Sequence, residues 1–154
     1  MEDIRDEIVL RAPVERVWKA IEDPATHAQW HPFLKHVAGE HVLGAIRKCD
    51  VLVGKKAATT EERCSTYDES RKIMWTIEQD TSGFSRMVSD WSAGFSLEAK
   101  GSDETRVVAQ SAFTLTKLIS RLMLPMIRRK FHQTQQSILG GLKQHVEEPP
   151  HAHD

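Results

Sequence analysis

Residues 125–146 read PMIRRKFHQTQQSILGGLKQHV, and this stretch constrains how the rest of the chain can fold. Core-type positions recur in it every three or four residues, which is the spacing of one face of an α-helix. These positions are Ile127, Phe131, Gln135, Ile138, Leu142 and Val146. Pro125 suits a first helical turn, where its missing N–H costs no hydrogen bond. The stretch therefore predicts a C-terminal helix of about twenty residues.

The chain before this helix reads as a series of strands. Glycines punctuate residues 37–116, with extended-looking segments between them. Ile73, Trp75 and Ile77, for instance, alternate with mostly polar neighbours. Such alternation is typical of an antiparallel sheet with one covered face and one exposed face. The predicted strands cover residues 37–40, 45–53, 57–67, 72–80, 86–99 and 105–116.

The N-terminal part adds one strand and two short helices. Residues 4–10 are apolar and charged in the pattern of a short strand. A helix begins at Pro13 and ends at Asp23, because a residue before proline, here Pro24, avoids the α region. A second short helix is predicted over residues 25–30.

The predicted elements do not fit together as flat layers. A single helix is about 10 Å across, whereas six strands about 4.8 Å apart span roughly 30 Å. The apolar face of the sheet must be covered, and the C-terminal helix is the only predicted element long enough to cover it. We therefore predict an α+β fold in which a curved antiparallel sheet of about six to seven strands wraps around that helix, with two short helices after the first strand. An apolar cavity between sheet and helix would suit a small molecule.

Several segments resemble the START/Bet v 1-like (SRPBCC) superfamily, and most of all its bacterial polyketide cyclase/dehydrase and lipid-transport group. They are IVLRAPVERVW at residues 8–18, IEDP at 21–24, WHP at 30–32, and ER at 62–63 followed by YDESR at 67–71 and Trp75. The resemblance extends over residues 4–146 and implies a helix-grip fold around a ligand cavity. It implies no catalytic residue, because the group has no universal catalytic motif. We expect one domain over residues 1–148 and a disordered tail at residues 149–154, which has nothing to bury.

Composition argues against several functional classes. The 154 residues include 21 Lys and Arg against 22 Asp and Glu, for a formal charge of −1, so the chain lacks the positive field that attracts nucleic acid. The longest apolar run, residues 122–127, is far shorter than the ~20 residues of a membrane span. The acidic N-terminus differs from an export signal. We expect a cytoplasmic monomer or homodimer that binds no nucleic acid.

Neither a metal nor a cofactor is expected. Cys49 and Cys64 lie 15 residues apart without a CxxC motif, which fits buried thiols better than a disulfide framework or a zinc site. His27 and His31 have the spacing of a metal pair on a helix. The helix ends before Pro32, however, and no third ligand has a diagnostic spacing.

Twelve residues are predicted to contact the ligand. They come from the inner face of the strands, from the inward stripe of the C-terminal helix and from the corner after the second short helix. They are Trp30, Phe33, Thr60, Glu62, Cys64, Trp75, Ile77, Trp91, Ala93, Phe95, Phe131 and Gln135. The tryptophans can stack on a flat ligand, and packing in the core is the alternative.

Glu62 is the one candidate for catalysis. A four-residue hairpin loop at residues 68–71 directs Glu62 and Thr60 toward the apolar face. A loop one residue longer or shorter directs Arg63 and Tyr67 there instead. An inward carboxylate can act as a general base. The alternative is a carboxylate at the rim of the sheet that pairs with a neighbouring arginine.

Basic and apolar side chains occur together at the start of the C-terminal helix. The basic residues Arg121, Arg128, Arg129 and Lys130 lie beside an apolar run at residues 122–126. Such an amphipathic patch predicts transient contact with an anionic membrane, and a solvated helix face beside a core stripe is the alternative.

Two adjacent glycines, Gly140 and Gly141, lie inside the predicted helix. Each costs about 1 kcal/mol relative to alanine in a helix interior. The pair therefore indicates either a close approach to a strand or a kink.

Three functions fit these observations. The first is a protein that binds a hydrophobic small molecule, such as a lipid, a quinone or an aromatic polyketide-like compound, in the cavity. The resemblance also implies two others. One is an aromatase/cyclase-type enzyme that acts on a polyketide-like substrate, and the other is a partner-binding regulatory protein with a vestigial pocket.

Overall fold

The computed structural model describes residues 1–147, and the tail predicted at residues 149–154 lies outside them. The strands are β1 (Glu2–Leu10), β2 (Leu34–Ala38), β3 (Ile46–Val53), β4 (Lys56–Asp68), β5 (Lys72–Asp80), β6 (Val88–Ala99) and β7 (Thr105–Leu115). The helices are α1 (Val14–Glu22), α2 (Pro24–Trp30), α3 (Leu118–Leu122) and α4 (Leu124–Glu147), with a 3₁₀ turn at Phe84–Arg86. The order of the seven strands and of α1, α2 and α4 is the predicted one.

The seven strands form one antiparallel sheet in the order β1-β7-β6-β5-β4-β3-β2. Strands that follow one another are neighbours, except that β1 pairs with β7, from Glu2 opposite Phe113 to Leu10 opposite Thr105. α4 packs across the inner face against β1 and β7. The predicted α+β class, with a curved sheet around a long C-terminal helix, is confirmed.

Local features of the strands bend the sheet. A Cβ atom on Gly94 would lie 2.1 Å from the carbonyl oxygen of Ile73 and 2.7 Å from the Cα of Met74. Only glycine therefore allows β5 and β6 to approach so closely. β6 also carries a bulge around Asp90, whose φ is 53°, and bulges increase local bending and twist.

The predicted four-residue loop between β4 and β5 is wrong. Asp68 pairs with Lys72, which leaves a loop of three residues. In this register Tyr67 packs against the core. A bulge at Ser65 then shifts the register by one residue, so that Glu62 also faces inward. The sequence left open whether Tyr67 or Glu62 faces inward, and in the structure both do, at opposite sides of the bulge in β4.

Three strands begin two or three residues away from their predicted starts, and the first of them, β1, begins at Glu2 rather than at residue 4. β2 begins at Leu34 rather than at residue 37, because the chain enters the sheet shortly after α2 ends. β6 begins at Val88 rather than at residue 86, because Phe84–Arg86 forms the 3₁₀ turn. Gly83 precedes that turn with a φ of 99°, which favours glycine.

α4 joins two separate parts of the core. Its C-terminal half contributes Leu139 and Leu142 to a cluster that includes Trp18 of α1. Its N-terminal half contributes Ile127 to a second cluster around Phe113. Residues of both clusters border a space between α4 and the sheet.

The glycine pair in α4 has one constrained member and one free member. The Cβ position of Gly141 lies 2.5 Å from the carbonyl oxygen of Trp30 and 3.5 Å from Cδ of Pro32. The Cβ position of Gly140 has no atom within 4 Å among residues 1–147. The pair reflects a close approach, but the approach is to the corner after α2 rather than to a strand.

We expect Gly141→Ala to lower the free energy of unfolding by about 1–3 kcal/mol, because backbone atoms of the α2 corner must move. Gly140→Ala is the matched control, and it should raise that free energy by about 1 kcal/mol through helix propensity. Urea unfolding measures both changes. Substitutions of equal effect would contradict the close approach at Gly141.

Candidate functional site

A cavity of about 500 Å³ lies between the inner face of the sheet and α4. Its volume is within the range of about 300–1,000 Å³ that small-molecule sites have. Met126 and Val53 border the cavity and are also 63% and 49% exposed. Because these two residues reach both the cavity and the surface, they mark its mouth.

The structure places ten of the twelve predicted ligand contacts around this cavity. They are Phe33, Thr60, Glu62, Trp75, Ile77, Trp91, Ala93, Phe95, Phe131 and Gln135. The geometry thus brings together side chains from β4, β5, β6 and α4 that are distant in sequence. Their contact with a ligand stays a prediction.

Trp30 and Cys64 do not border the cavity. Trp30 is buried in the core, and its indole N–H donates to the carbonyl oxygen of Ala20 at 2.8 Å. Cys64 faces inward as predicted but lies in the same core cluster. Both residues belong to the core cluster that also contains Trp18 and Leu139.

Aromatic side chains line the cavity near β6 and α4. Phe84 meets Trp91 edge to face, with 5.0 Å between the ring centroids, and lies 5.4 Å from Phe131. Phe113 lies 5.0 Å from Phe131 and supports it from the core. These rings offer a flat apolar surface to a ligand.

A buried ion pair lies on the β3–β4 side. Arg47 and Glu62 are directly opposite each other, and Nη2 and Nε of Arg47 donate to Oε1 of Glu62 at 2.7 and 3.0 Å. Thr60 Oγ1 donates to Oε2 of Glu62 at 2.6 Å. The guanidinium lies 3.7 Å from the centroid of the Trp75 ring. The two charged side chains are only 7% and 12% exposed, so removal of either one would leave the other unpaired at a high cost.

Glu62 is thus the countercharge of Arg47. The sequence left two interpretations of this residue open. Glu62 faces inward, in agreement with the first, and it pairs with an arginine, in agreement with the second. A general base needs an oxygen that is available to a substrate proton. Both oxygens of this carboxylate already accept hydrogen bonds from protein donors.

Two histidines share one backbone carbonyl beside this pair. Nδ1 of His27 and Nδ1 of His41 lie 3.1 and 3.2 Å from the carbonyl oxygen of Ile21. A carbonyl only accepts, so each Nδ1 carries a proton. Nη1 of Arg47 donates to Nε2 of His41 at 2.9 Å. Burial, and then the charge of Arg47, lowers the pKa of His41 to about 4 and the pKa of His27 well below its usual value.

His31 presents a hydrogen-bond donor to the cavity. Its Nδ1 accepts from the backbone N–H groups of Phe33 and Leu34, each at 3.1 Å. Burial, and then the charge of Arg47, lowers the pKa of His31 to about 3. The neutral ring therefore has its single proton on Nε2. The ring borders the cavity, and among residues 1–147 this Nε2 has no hydrogen-bond partner.

Sequence reasoning missed Arg47 and treated His27 and His31 only as a candidate metal pair. A signal for Arg47 did exist, because it lies two residues before the buried Cys49 in β3 and therefore on the same face of the strand. The convergence of histidines from α2 and from the loop after β2 has no local signal. Within the described part of the chain, no three His, Cys, Asp or Glu side chains cluster to hold a metal ion.

Comparison with known proteins gives one family match. The family model described as polyketide cyclase / dehydrase and lipid transport matches residues 1–147. No curated protein matches the sequence.

Solved structures share the fold at low sequence identity. A START superfamily protein from Mycobacterium smegmatis is 15% identical with a TM-score of 0.78, over 95% of this chain and 97% of that one. The Zhui aromatase/cyclase from Streptomyces sp. R1128 is 18% identical with a TM-score of 0.71, over 94% and 95%. Truncated norcoclaurine synthase from Thalictrum flavum is 12% identical with a TM-score of 0.75, over 96% and 94%. At these identities the likeness shows the fold alone.

We expect the free energy of unfolding to decrease as the pH falls from 6.5 toward 4. His31 and His41 have folded-state pKa values of about 3 and 4 against a usual 6.5, so in this window the unfolded chain binds more protons. The contribution is complete above pH 6.5, and each histidine adds a slope of up to about 1.4 kcal/mol per pH unit below it.

Urea unfolding at several pH values measures this slope. His41→Asn should reduce it, whereas His36→Asn, at a site whose side chain is 70% exposed, should leave it unchanged. A slope that is identical in the two variants would contradict a neutral, buried His41.

Proposed function

Because the chain belongs to the polyketide cyclase/dehydrase and lipid-transport family, we propose that it binds a hydrophobic small molecule in the cavity between the sheet and α4. The predicted START/Bet v 1-like superfamily is confirmed by the same match and by the shared fold. The observation that carries the proposal is the cavity itself, which is about 500 Å³ in volume, has a mostly apolar lining and reaches the surface at Met126 and Val53.

The two sides of the cavity favour a ligand with an apolar body and one polar end. Phe84, Trp91 and Phe131 offer ring faces and edges to a flat or flexible hydrocarbon. On the β3–β4 side, Nε2–H of His31 is a donor without a protein acceptor among residues 1–147. A ligand that covers this donor must offer it an acceptor, because a donor that becomes buried without a partner costs free energy. A carbonyl or another acceptor oxygen on the ligand would pair it, as a quinone or a polyketide-like compound can.

Binding is favoured over the two alternative functions. Aromatase/cyclase-type chemistry would need an acid or base free to act on the substrate, and the Glu62 carboxylate is held by Arg47 and Thr60. A purely partner-binding role with a vestigial pocket would not require a cavity of this size to be kept open. Closure of an unused apolar void would stabilise the fold, since empty space forfeits packing contacts.

A quinone probe tests occupancy of the cavity. We expect 2,3-dimethyl-1,4-naphthoquinone to bind and to quench tryptophan fluorescence, because Trp75 and Trp91 border the cavity. Ala93→Trp fills the cavity and should weaken binding at least about tenfold, which is about 1.4 kcal/mol. Ala99→Trp is the matched control on an exposed position of β6 and should have no effect. Equal binding by both variants would place the probe elsewhere.

A second probe pair tests the role of His31. We expect His31→Phe to weaken binding of 2,3-dimethyl-1,4-naphthoquinone about tenfold through loss of one hydrogen bond. Binding of 2,3-dimethylnaphthalene, which has the same shape without oxygens, should change far less. Titration by fluorescence measures both. An equal loss for the two probes would mean that the substitution altered the shape of the cavity rather than a hydrogen bond.

A further inference from the structure

Five large apolar side chains stand in solvent next to the mouth of the cavity. They are Leu118, Ile119, Leu122, Met123 and Met126, exposed by 77, 68, 79, 38 and 63%, and we call them the apolar ridge. The ridge spans α3 and the first turn of α4. A contiguous exposed apolar surface on a folded protein usually marks an interaction site.

The segment that carries the ridge is strongly basic. Residues 105–146 contain seven Lys and Arg and no Asp or Glu, although the whole chain has a formal charge of −1. Three of these seven, Arg106, Arg128 and Lys143, pair with carboxylates. The other four all lie within residues 117–130, the part of the chain that carries the ridge. A local excess of positive charge of this kind attracts an anionic surface.

Four basic side chains flank the ridge and are free to bind. Lys117, Arg121, Arg129 and Lys130 are exposed, and among residues 1–147 none has a carboxylate oxygen within 4 Å. Arg128, which the sequence placed in the same basic cluster, is different. Its Nη1 donates to Glu2 at 2.7 Å, so it fastens α4 to β1.

The ridge adjoins the mouth of the cavity. Met126 belongs to the ridge and also borders the cavity, as does the neighbouring basic residue Lys130. Across the mouth, Val53 and Gly54 border the cavity at the turn between β3 and β4. The next residue of that turn, Lys55, adds another exposed positive charge. A surface that covered the ridge would therefore lie directly over the opening.

We propose that the apolar ridge and its flanking Lys and Arg side chains form a docking surface for an anionic lipid bilayer. When the protein is docked there, the mouth of the cavity faces the membrane. The apolar side chains enter the region between head groups and acyl chains, and the basic side chains contact anionic head groups. α4 does not cross the bilayer, since within residues 1–147 no helix combines the length and hydropathy of a membrane span. A second copy of the chain fits less well, because two such basic rims would face each other and repel.

Vesicle flotation tests the docking surface. We expect the protein to float with vesicles of 70% phosphatidylcholine and 30% phosphatidylglycerol, to bind pure phosphatidylcholine vesicles far more weakly, and to lose binding in 0.5 M NaCl. Ile119→Ser with Leu122→Ser should weaken binding at least about tenfold by removing two inserted side chains. The matched control is Val9→Ser with Leu43→Ser, two exposed apolar residues that do not border the cavity, and it should bind as the wild type does.

Two further results separate this proposal from others. Ala93→Trp should still bind vesicles even though its cavity is filled. If the wild-type protein docks on vesicles but binds no ligand, only the proposed ligand-binding function is contradicted. Wild-type protein that ignores anionic vesicles would overturn the docking proposal. The docking proposal would also be overturned if the ridge variants bound vesicles as the wild type does but were monomers in analytical ultracentrifugation where the wild type is a dimer. The ridge would then be a self-association surface.

Discussion

A sheet of seven strands is too wide for one helix to cover, and this mismatch shapes the whole molecule. Strands about 4.8 Å apart make a sheet nearly three helix diameters wide. The sheet bends around α4 through the close approach at Gly94 and the bulges in β4 and β6. The C-terminal half of α4 packs in the larger core cluster, where α1 and α2 also contact the helix. Beside the N-terminal half, the space between helix and sheet becomes the cavity.

Polar side chains in this space are arranged before any ligand arrives. Arg47 and Glu62 neutralise each other across neighbouring strands, and Ile21 fixes the tautomers of His27 and His41 through its carbonyl oxygen. Two hydrogen bonds of Gln135 hold α4 on the sheet. Ser111 Oγ donates to Gln135 Oε1 at 2.7 Å, and Gln135 Nε2 donates to Asp6 at 2.7 Å. Such fixed partners lower the ordering cost of binding, and they leave the Nε2–H of His31 without a protein acceptor among residues 1–147. The indole N–H groups of Trp75 and Trp91, two residues that border the cavity, also lack partners there.

Periodicity in the sequence was sufficient for the fold and for most of the cavity wall. The alternation of Trp75 and Ile77 in β5 and the stripe through Phe131 and Gln135 in α4 each placed side chains correctly, because these elements bury one face. The bulge at Ser65 could not be predicted, since it depends on how β4 accommodates the bend of its neighbours. Arg47 was missed because a charged residue in a strand is ordinarily placed outside, and only its partner on β4 makes its burial tolerable.

Native mass spectrometry of freshly purified protein is the sharpest check on the view that the space beneath α4 is a ligand site. The measurement compares the mass of the folded protein, released gently from buffer, with that of the same sample after denaturation in organic solvent. We predict a folded species heavier than the 17.5 kDa chain by the mass of one hydrophobic small molecule, which is lost on denaturation. Identical masses in the two states, from several preparations and after incubation with quinones and fatty acids, would contradict a ligand-binding cavity.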